Sequence, residues 1–464
     1  MTIVRRLRIL LLAALAACGG GSDGGGGSDD DGRLRFGTVA YVNTECREEN
    51  GVFTARQTLR LLNDDGSEAV VARDAAGPMP AVGLCRLLGL SRSGRASVVG
   101  GSFQRIGVVP DGSGVIFEIT RAYSILGLPR LPEEQEGFFF VRTDGSGLRR
   151  LAPPSRDPSF RLAADPGAPT GFRTTFTAPL PFSPDGRRFL YTDLGPGASG
   201  QDGMQLFGID VISGERRQIT RLDPVELTDP LARQILSPRF LDDDTVLFSA
   251  VVPPDPSYRA YTIRTDGSSL KRVIAPLPVP DGEIDPSFQI TGDRPASLRI
   301  FGQIFVFDGS NLLQLTGPET GFVDPAQPLL DANGGRVFFV GTSNVLGTNP
   351  AENCQVFSVS VLADRLRQLT RFGGPEHSPN GCNAPDVEPG CNIDTLRQNP
   401  ETGVLIYESS CNPLGGNPFG NQVFAMRPDG SGLAQLTRAG GFRTAGGATE
   451  VELPGPFAAT AVRH

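Results

Sequence analysis

"QVFAMRPDGSGLAQLTR" occupies residues 422–438. An apolar run, Gln422–Met426, enters a turn at Asp429-Gly430, and a second short run ends at Leu436-Thr437. Asp-Gly supplies the positive φ angles a tight hairpin turn needs, so this stretch predicts two antiparallel strands. The same unit recurs as "FFFVRTDGSGLRRLA" (138–152) and "YTIRTDGSSLKRVI" (261–274). Weaker copies are "LRLLNDDGSEAVVA" (59–72), "QLFGIDVISGERRQITR" (205–221), "QIFVFDGSNLLQLT" (303–316) and "QVFSVSVLADRLRQLTR" (355–371). Seven hairpins result.

A second unit, a turn followed by an apolar strand, precedes most of them. It reads "VVPDGSGVIFEI" (108–119), "FSPDGRRFLYTD" (182–193), "RFLDDDTVLFSA" (239–250), "LLDANGGRVFFVG" (329–341) and "RQNPETGVLIYES" (397–409). The turn glycines Gly112, Gly145, Gly186, Gly267 and Gly430 read as structural. Two hairpins make a four-stranded antiparallel sheet that cannot bury both faces alone. Radial packing of such sheets buries them and leaves only short edges. The expected fold is all-β, a propeller of four-stranded blades, with seven blades favoured and six as the alternative because the fifth unit (286–316) is short. The 59 glycines and 39 prolines, spread along the chain, suit many strands joined by tight turns. The first unit, from Arg33, lacks an inner strand, and "VELPGPFAATAVRH" (451–464) is placed to supply it.

"FSPDGRRFLYTD" and "RQLTR" resemble the repeats of TolB-like propellers, over most of residues 36–438. The chain departs from that pattern in having no Trp, with Phe182 before Ser-Pro-Asp-Gly. The resemblance implies the fold; a role in that family's envelope system would be analogy at the level of fold.

Upstream, Arg5, Arg6 and Arg8 precede a nine-residue apolar run, Ile9–Ala17, too short to span a bilayer. Leu15-Ala16-Ala17-Cys18 resembles the lipobox of bacterial lipoproteins. That resemblance implies acylation of the Cys18 thiol, cleavage before it and acylation of the new amine; Gly19 in the next position implies the outer membrane. Residues 1–17 then form a signal peptide. Residues 18–32 are the lipidated cysteine and a Gly/Ser/Asp tether with nothing apolar to bury, spanning about 20 Å. Residues 33–464 form the propeller.

The net charge of −8 becomes −11 once the leader arginines are removed, and no Lys/Arg cluster stands out along the chain. Nucleic acid and anionic lipid are therefore not expected partners. The expected partners are the membrane, through the N-terminal lipid, and an envelope protein, with the chain itself monomeric. Six cysteines follow Cys18, an even number in an oxidising compartment, which predicts disulfides. The expected pairing is Cys46–Cys85, Cys382–Cys391 and Cys354–Cys411, all in loops on the rim that carries the long connections 121–137, 194–204, 222–236, 275–285, 343–353, 372–396 and 411–421. Long loops on a rigid scaffold are where binding residues gather.

Catalytic signals are sparse. His377 and His464 are the two histidines, no G-x-S-x-G elbow or phosphate-binding glycine loop occurs, and no cofactor or metal is called for. Asp242-Asp243-Asp244 lacks calcium-loop spacing and reads as a hairpin turn. Three functions stay open: a lipid-anchored protein-binding scaffold; a carbohydrate- or peptidoglycan-binding lipoprotein using Tyr123, Tyr258 and Tyr261; and a hydrolase or lyase with paired carboxylates in the channel.

Overall fold

The computed structural model describes residues 33–50, 52–79, 103–120, 131–156, 182–225, 234–240, 242–255, 258–272, 296–300, 303–307, 312–317, 326–331, 333–372, 393–399, 401–416, 422–438, 441–445 and 448–459. These form seven antiparallel sheets, one helical turn at Glu133–Gln135, and no longer helix among the described residues. The chain is an all-β propeller.

Blade 1 contains β1 (Thr38–Glu49), β2 (Val52–Asn63) and β3 (Glu68–Met79); blade 2 contains β4 (Phe103–Val108), β5 (Gly114–Ile119), β6 (Gly137–Arg142) and β7 (Arg149–Ala152). Blade 3 has β8 (Arg188–Pro196), β9 (Asp202–Asp210) and β10 (Arg216–Gln218), and blade 4 has β11 (Ile235–Phe240), β12 (Thr245–Val251), β13 (Tyr258–Arg264) and β14 (Lys271–Arg272). Blade 5 shows β15 (Ala296–Ile300), β16 (Gln303–Phe307) and β17 (Leu312–Gln314). Blade 6 comprises β18 (Ala326–Leu330), β19 (Arg336–Gly341), β20 (Gln355–Ser360) and β21 (Leu366–Gln368). Blade 7 comprises β22 (Ile393–Gln398), β23 (Leu405–Ser409), β24 (Gln422–Met426) and β25 (Ala434–Gln435). The chain returns to blade 1 through β26 (Gly441–Ala445) and β27 (Ala448–Ala459), giving the order β26-β27-β1-β2-β3. β27 pairs antiparallel with β1 from Val39↔Ala459 to Glu49↔Ala448, so the last strand closes the blade that the first strand opens.

Both faces of blades 1, 2, 3, 6 and 7 are buried, which explains their near-continuous apolar runs. Val115 and Phe117 of β5 pack against blade 1, while Ile116 packs against blade 3. Val337 and Phe339 of β19 face blade 5, and Phe338 and Val340 face blade 7. The same alternation joins blade 3 to blade 4 and blade 7 to blade 1. Each buried Phe or Leu side chain contributes about 1.5–3 kcal/mol.

Two expectations need correction. Cys46 does not lie in a loop: it is in β1, opposite Ala55 and Val451, because β1 and β2 run on as one long hairpin where a loop was expected. Tyr261 is not an exposed aromatic: it is buried in the cluster between blades 3 and 4, stacked on Phe248 at 6.0 Å. It lies opposite Phe248 across the β12–β13 pair, on the face that packs against blade 3.

Candidate functional site

The repeat signature is used up by cohesion. In blade 6, Gln355 opens β20 and Thr370 follows β21. Thr370 Oγ1 donates to Gln355 Oε1 (2.7 Å) and accepts from Val356 N–H (2.8 Å). Phe372 N–H donates to the same Oε1 (2.9 Å), and Gln355 Nε2 donates back to Phe372 O (2.8 Å). Gln205 and Thr220 repeat this clasp in blade 3, with Leu222 in the place of Phe372. Gln303–Thr316 and Gln422–Thr437 repeat its core in blades 5 and 7. A second glutamine two residues before each threonine (Gln218, Gln314, Gln368, Gln435) donates to that threonine's carbonyl. Gln205, Thr220, Thr316, Gln355, Thr370, Gln422 and Thr437 are buried, and buried polar groups need partners.

An aromatic pair crosses from the second to the third strand in five blades: Phe117–Phe139, Tyr191–Phe207, Phe248–Tyr261, Phe339–Phe357 and Tyr407–Phe424, with centroids 5.6–6.0 Å apart. The signal was in plain view, since each quoted second strand carries Phe or Tyr at its third apolar position. Such pairs add about 0.5–1.5 kcal/mol beyond burial.

The polar cluster with the strongest claim to chemistry lies between blades 2 and 3, toward the long-connection rim. Glu118, at the end of β5, is 0% exposed and ion-paired to Arg105 of the inner strand β4. Asp193, on β8, is 1% exposed and ion-paired to Arg216 of β10. Arg216 also lies over the Phe207 ring at 4.1 Å. Consecutive backbone groups bridge the two carboxylates: Ser155 N–H donates to Glu118 Oε1 (2.6 Å) and Arg156 N–H to Asp193 Oδ1. Ser155 Oγ donates to Thr192 O (2.8 Å). Burial pushes the Glu118 carboxyl above its usual range, and Arg105 beside it pulls the other way. Glu408 holds the position on β23 that Glu118 holds on β5. Burial lowers its neighbour Arg397, on β22, to about 10, with Glu408 opposing.

A general acid or base must reach its substrate's proton within hydrogen-bond distance. Glu118 and Asp193 instead spend their oxygens on two arginines and on backbone N–H groups, sealed between blades. Their geometry fastens the exit of blade 2 to blade 3. Among the described residues no group of His, Cys, Asp and Glu is arranged to hold a metal ion.

The remaining sequence-predicted residues fall as follows. Gly112, Gly145, Gly186, Gly267 and Gly430 all have positive φ, from 71° to 88°. At two of them the backbone of the preceding blade comes close: a Cβ on Gly430 would sit 2.6 Å from Leu369 O, and one on Gly267 3.0 Å from Ile219 O. Each of these turns therefore rests on its neighbour's outer strand. Asp242–Asp244 form a turn in which Asp244 N–H donates to Asp242 Oδ1, while Asp243 Oδ1 accepts from Asp185 N–H of blade 3. Cys354 and Cys411 are both buried and both disulfide-bonded, and both belong to the cluster between blades 6 and 7. Cys18, Cys85, Cys382, Cys391, Tyr123, His377 and His464 lie outside the described residues.

Among the described residues, the long-connection rim carries a large departure from a plain ring in blade 1. β1 and β2 are each 12 residues long, against 6 for β5. Their outer halves, with β27, β26 and the end of β3, extend beyond the blade as a sheet. Six residues of strand reach about 20 Å.

No family model matches the chain, and no curated protein matches it. Solved structures similar to it include the putative TolB of Agrobacterium tumefaciens, 12% identical, covering 90% of this chain and 99% of that one at a TM-score of 0.33. The propeller domain of the Trilobed protease from Pyrococcus furiosus is 10% identical, with coverages of 86% and 98% and a TM-score of 0.45. A Mycobacterium tuberculosis puromycin-hydrolyzing peptidase is 14% identical, with coverages of 78% and 49% and a TM-score of 0.40. The chain spans about half the length of that peptidase. At these identities the activity named for each protein remains its own.

Proposed function

We propose that this chain is a lipid-anchored envelope scaffold whose long-connection rim binds a protein partner. The observation that carries the reading is the projecting sheet. Both ends of the propeller domain build it, β1 from one and β26–β27 from the other, so it stands on the ring's own closure. Long connections on a rigid scaffold are suited to recognition. The internal engagement of Glu118 and Asp193 favours binding over carboxylate chemistry, and the burial of Tyr261 takes one of the three candidate tyrosines from a carbohydrate platform.

The anchor rests on Leu15-Ala16-Ala17-Cys18, and Gly19 favours the outer membrane. Several acyl chains hold a protein on a bilayer where one alone is marginal. Cys18→Ser is expected to release the chain from the membrane fraction or trap its precursor; unchanged fractionation would count against the anchor. Crosslinking in intact cells followed by mass spectrometry tests the binding rim. Crosslinks to a partner are expected in 43–58, 342–354 and 410–421; crosslinks concentrated at the Asp-Gly turns would sink the assignment.

A further inference from the structure

The described chain enters the propeller on the Asp-Gly turn rim. Thr402, in the first-to-second-strand turn of blade 7, donates through Oγ1 to Arg35 O at 2.6 Å. Leu34 Cδ2 lies 3.5 Å from the place a Cβ would take on Gly432, in the third-to-fourth-strand turn of the same blade. Phe36 is buried and Leu34 half-buried in the cluster that holds Val404 and Leu436. In an antiparallel four-stranded blade both of these turns open on one rim. The described chain therefore enters the ring at Leu34–Phe36 on the short-turn rim, opposite the long connections and the projecting sheet.

That rim also carries apolar side chains in the open. Leu148, Ile212, Leu270 and Leu362 are 52%, 71%, 43% and 75% exposed. Each belongs to the third-to-fourth-strand turn of its blade (2, 3, 4 and 6), so they are spread around the ring's perimeter. Exposed basic residues follow each: Arg149, Arg217, Lys271 and Arg365. No such group shows in the linear sequence; the fold assembles it from four blades. The turn aspartates on the same rim are engaged by their own turns: Asp144 Oδ1 accepts from Ser146 N–H (2.8 Å) and Asp266 Oδ1 from Ser268 N–H (2.9 Å). Asp144, Glu215, Asp266 and Asp364 stand in the same turns, so these turns carry both signs of charge and it is the apolar tips that suit the boundary of a bilayer. The tether of about 20 Å is no longer than the radius of gyration of a domain this size, about 22 Å. It holds the attached rim near the membrane and the opposite rim away from it.

We propose that the Asp-Gly turn rim is the membrane-facing surface of this protein, with Leu148, Ile212, Leu270 and Leu362 seated in the lipid headgroup region and the long-connection rim presented away from the bilayer. The proposal rests on the reading of Cys18 as the lipid anchor. The occupant is a phospholipid surface. Leu346 and Leu414, exposed on the opposite rim, sit among Gly, Asn and Pro without such basic neighbours, and they serve as the reference positions.

The chain has no tryptophan, so a single introduced Trp reports alone. The mature chain, with an oligohistidine tag at its N-terminus, is docked on zwitterionic phosphatidylcholine–phosphatidylethanolamine vesicles containing a nickel-chelating lipid, with or without brominated acyl chains. L148W and L362W are expected to shift to shorter emission wavelength and to be quenched about twofold by bromolipid, the response of a ring at the headgroup–acyl boundary. L346W and L414W are expected to stay unchanged. Equal quenching on both rims, or none at L148W and L362W, overturns the proposal. The tag makes this result independent of Cys18. Mass spectrometry of the N-terminal peptide from cell membranes tests the anchor separately, and an unmodified Cys18 there overturns the anchor alone.

Discussion

Thr370 Oγ1 donates to Gln355 Oε1 at 2.7 Å and accepts from Val356 N–H at 2.8 Å, joining the two outer strands of blade 6 with one hydroxyl. Thr370→Val keeps the shape and removes that group, leaving a buried amide oxygen and a buried N–H short of a partner. Such losses cost about 1–3 kcal/mol. Urea unfolding is expected to show a lower midpoint with an unchanged slope, and Thr370→Ser is expected to recover most of the difference. Thr437→Val should behave alike, since Thr437 makes the same two contacts in blade 7. An unaffected midpoint in both valine variants would show that the clasp is dispensable.

Gly430 and Gly66 separate turn geometry from blade contact. Both have strongly positive φ, 88° and 83°, but a Cβ on Gly430 meets Leu369 O at 2.6 Å whereas one on Gly66 meets nothing within 4 Å. Alanine in the left-handed region costs about 1–2 kcal/mol at either place. Gly430→Ala is expected to cost more than Gly66→Ala, because it also pushes blade 7 off the outer strand of blade 6. Equal thermal shifts for the two variants would refute the contact's role.

How much of this was legible beforehand follows from the kind of information each feature needs. Asp-Gly turns are local, so Gly145, Gly267 and Gly430 marked the hairpins and hence the sheets directly. The Gln–Thr clasp was present as letters, 15 residues apart in "QVFSVSVLADRLRQLTR", but its meaning depends on the register that sets Phe357 opposite Gln368. Cys46 sits in a polar stretch, where a long hairpin extension and a long loop look alike in sequence. The Arg105–Glu118 and Asp193–Arg216 cluster was out of reach: its members come from two blades, and only packing brings Ser155 and Arg156 between the two carboxylates.

The Asp-Gly turns make a prediction about acid. Serine hydroxyls, and then serine N–H groups, hold the carboxyls of Asp65, Asp144, Asp266 and Asp429 below the usual range. A carboxyl that titrates lower in the folded chain binds fewer protons there than in the unfolded chain. Its contribution is therefore full above the unfolded value of about 3.9 and is lost as pH falls through the folded one. Replacing all four by Asn keeps an oxygen acceptor and removes the titration. The thermal midpoint of this variant should fall less steeply than that of the parent below about pH 4. Parallel acid profiles would show that these turns do not set the acid limit.

The buried ion pair gives the sharpest test of whether the charged cluster serves cohesion. Glu118→Leu leaves Arg105 as a charge between blades without its carboxylate, and Arg105→Met leaves Glu118 without its guanidinium. Removing one member of a buried pair costs about 3–5 kcal/mol, whereas replacing both with apolar residues of similar volume is often neutral or stabilising. The combination Arg105→Met with Glu118→Leu is therefore expected to be more stable than either single variant, a coupling that unfolding curves for the four proteins read directly. Because burial raises the Glu118 carboxyl, the folded chain holds that proton more tightly than the unfolded one. Its contribution favours folding most below the unfolded value and declines as pH rises through the folded one. Glu118→Gln should flatten that decline while lowering the whole curve. If the double variant lost stability equal to the sum of the two single losses, the pair would be independent, and the cluster would no longer account for how blade 2 is held to blade 3.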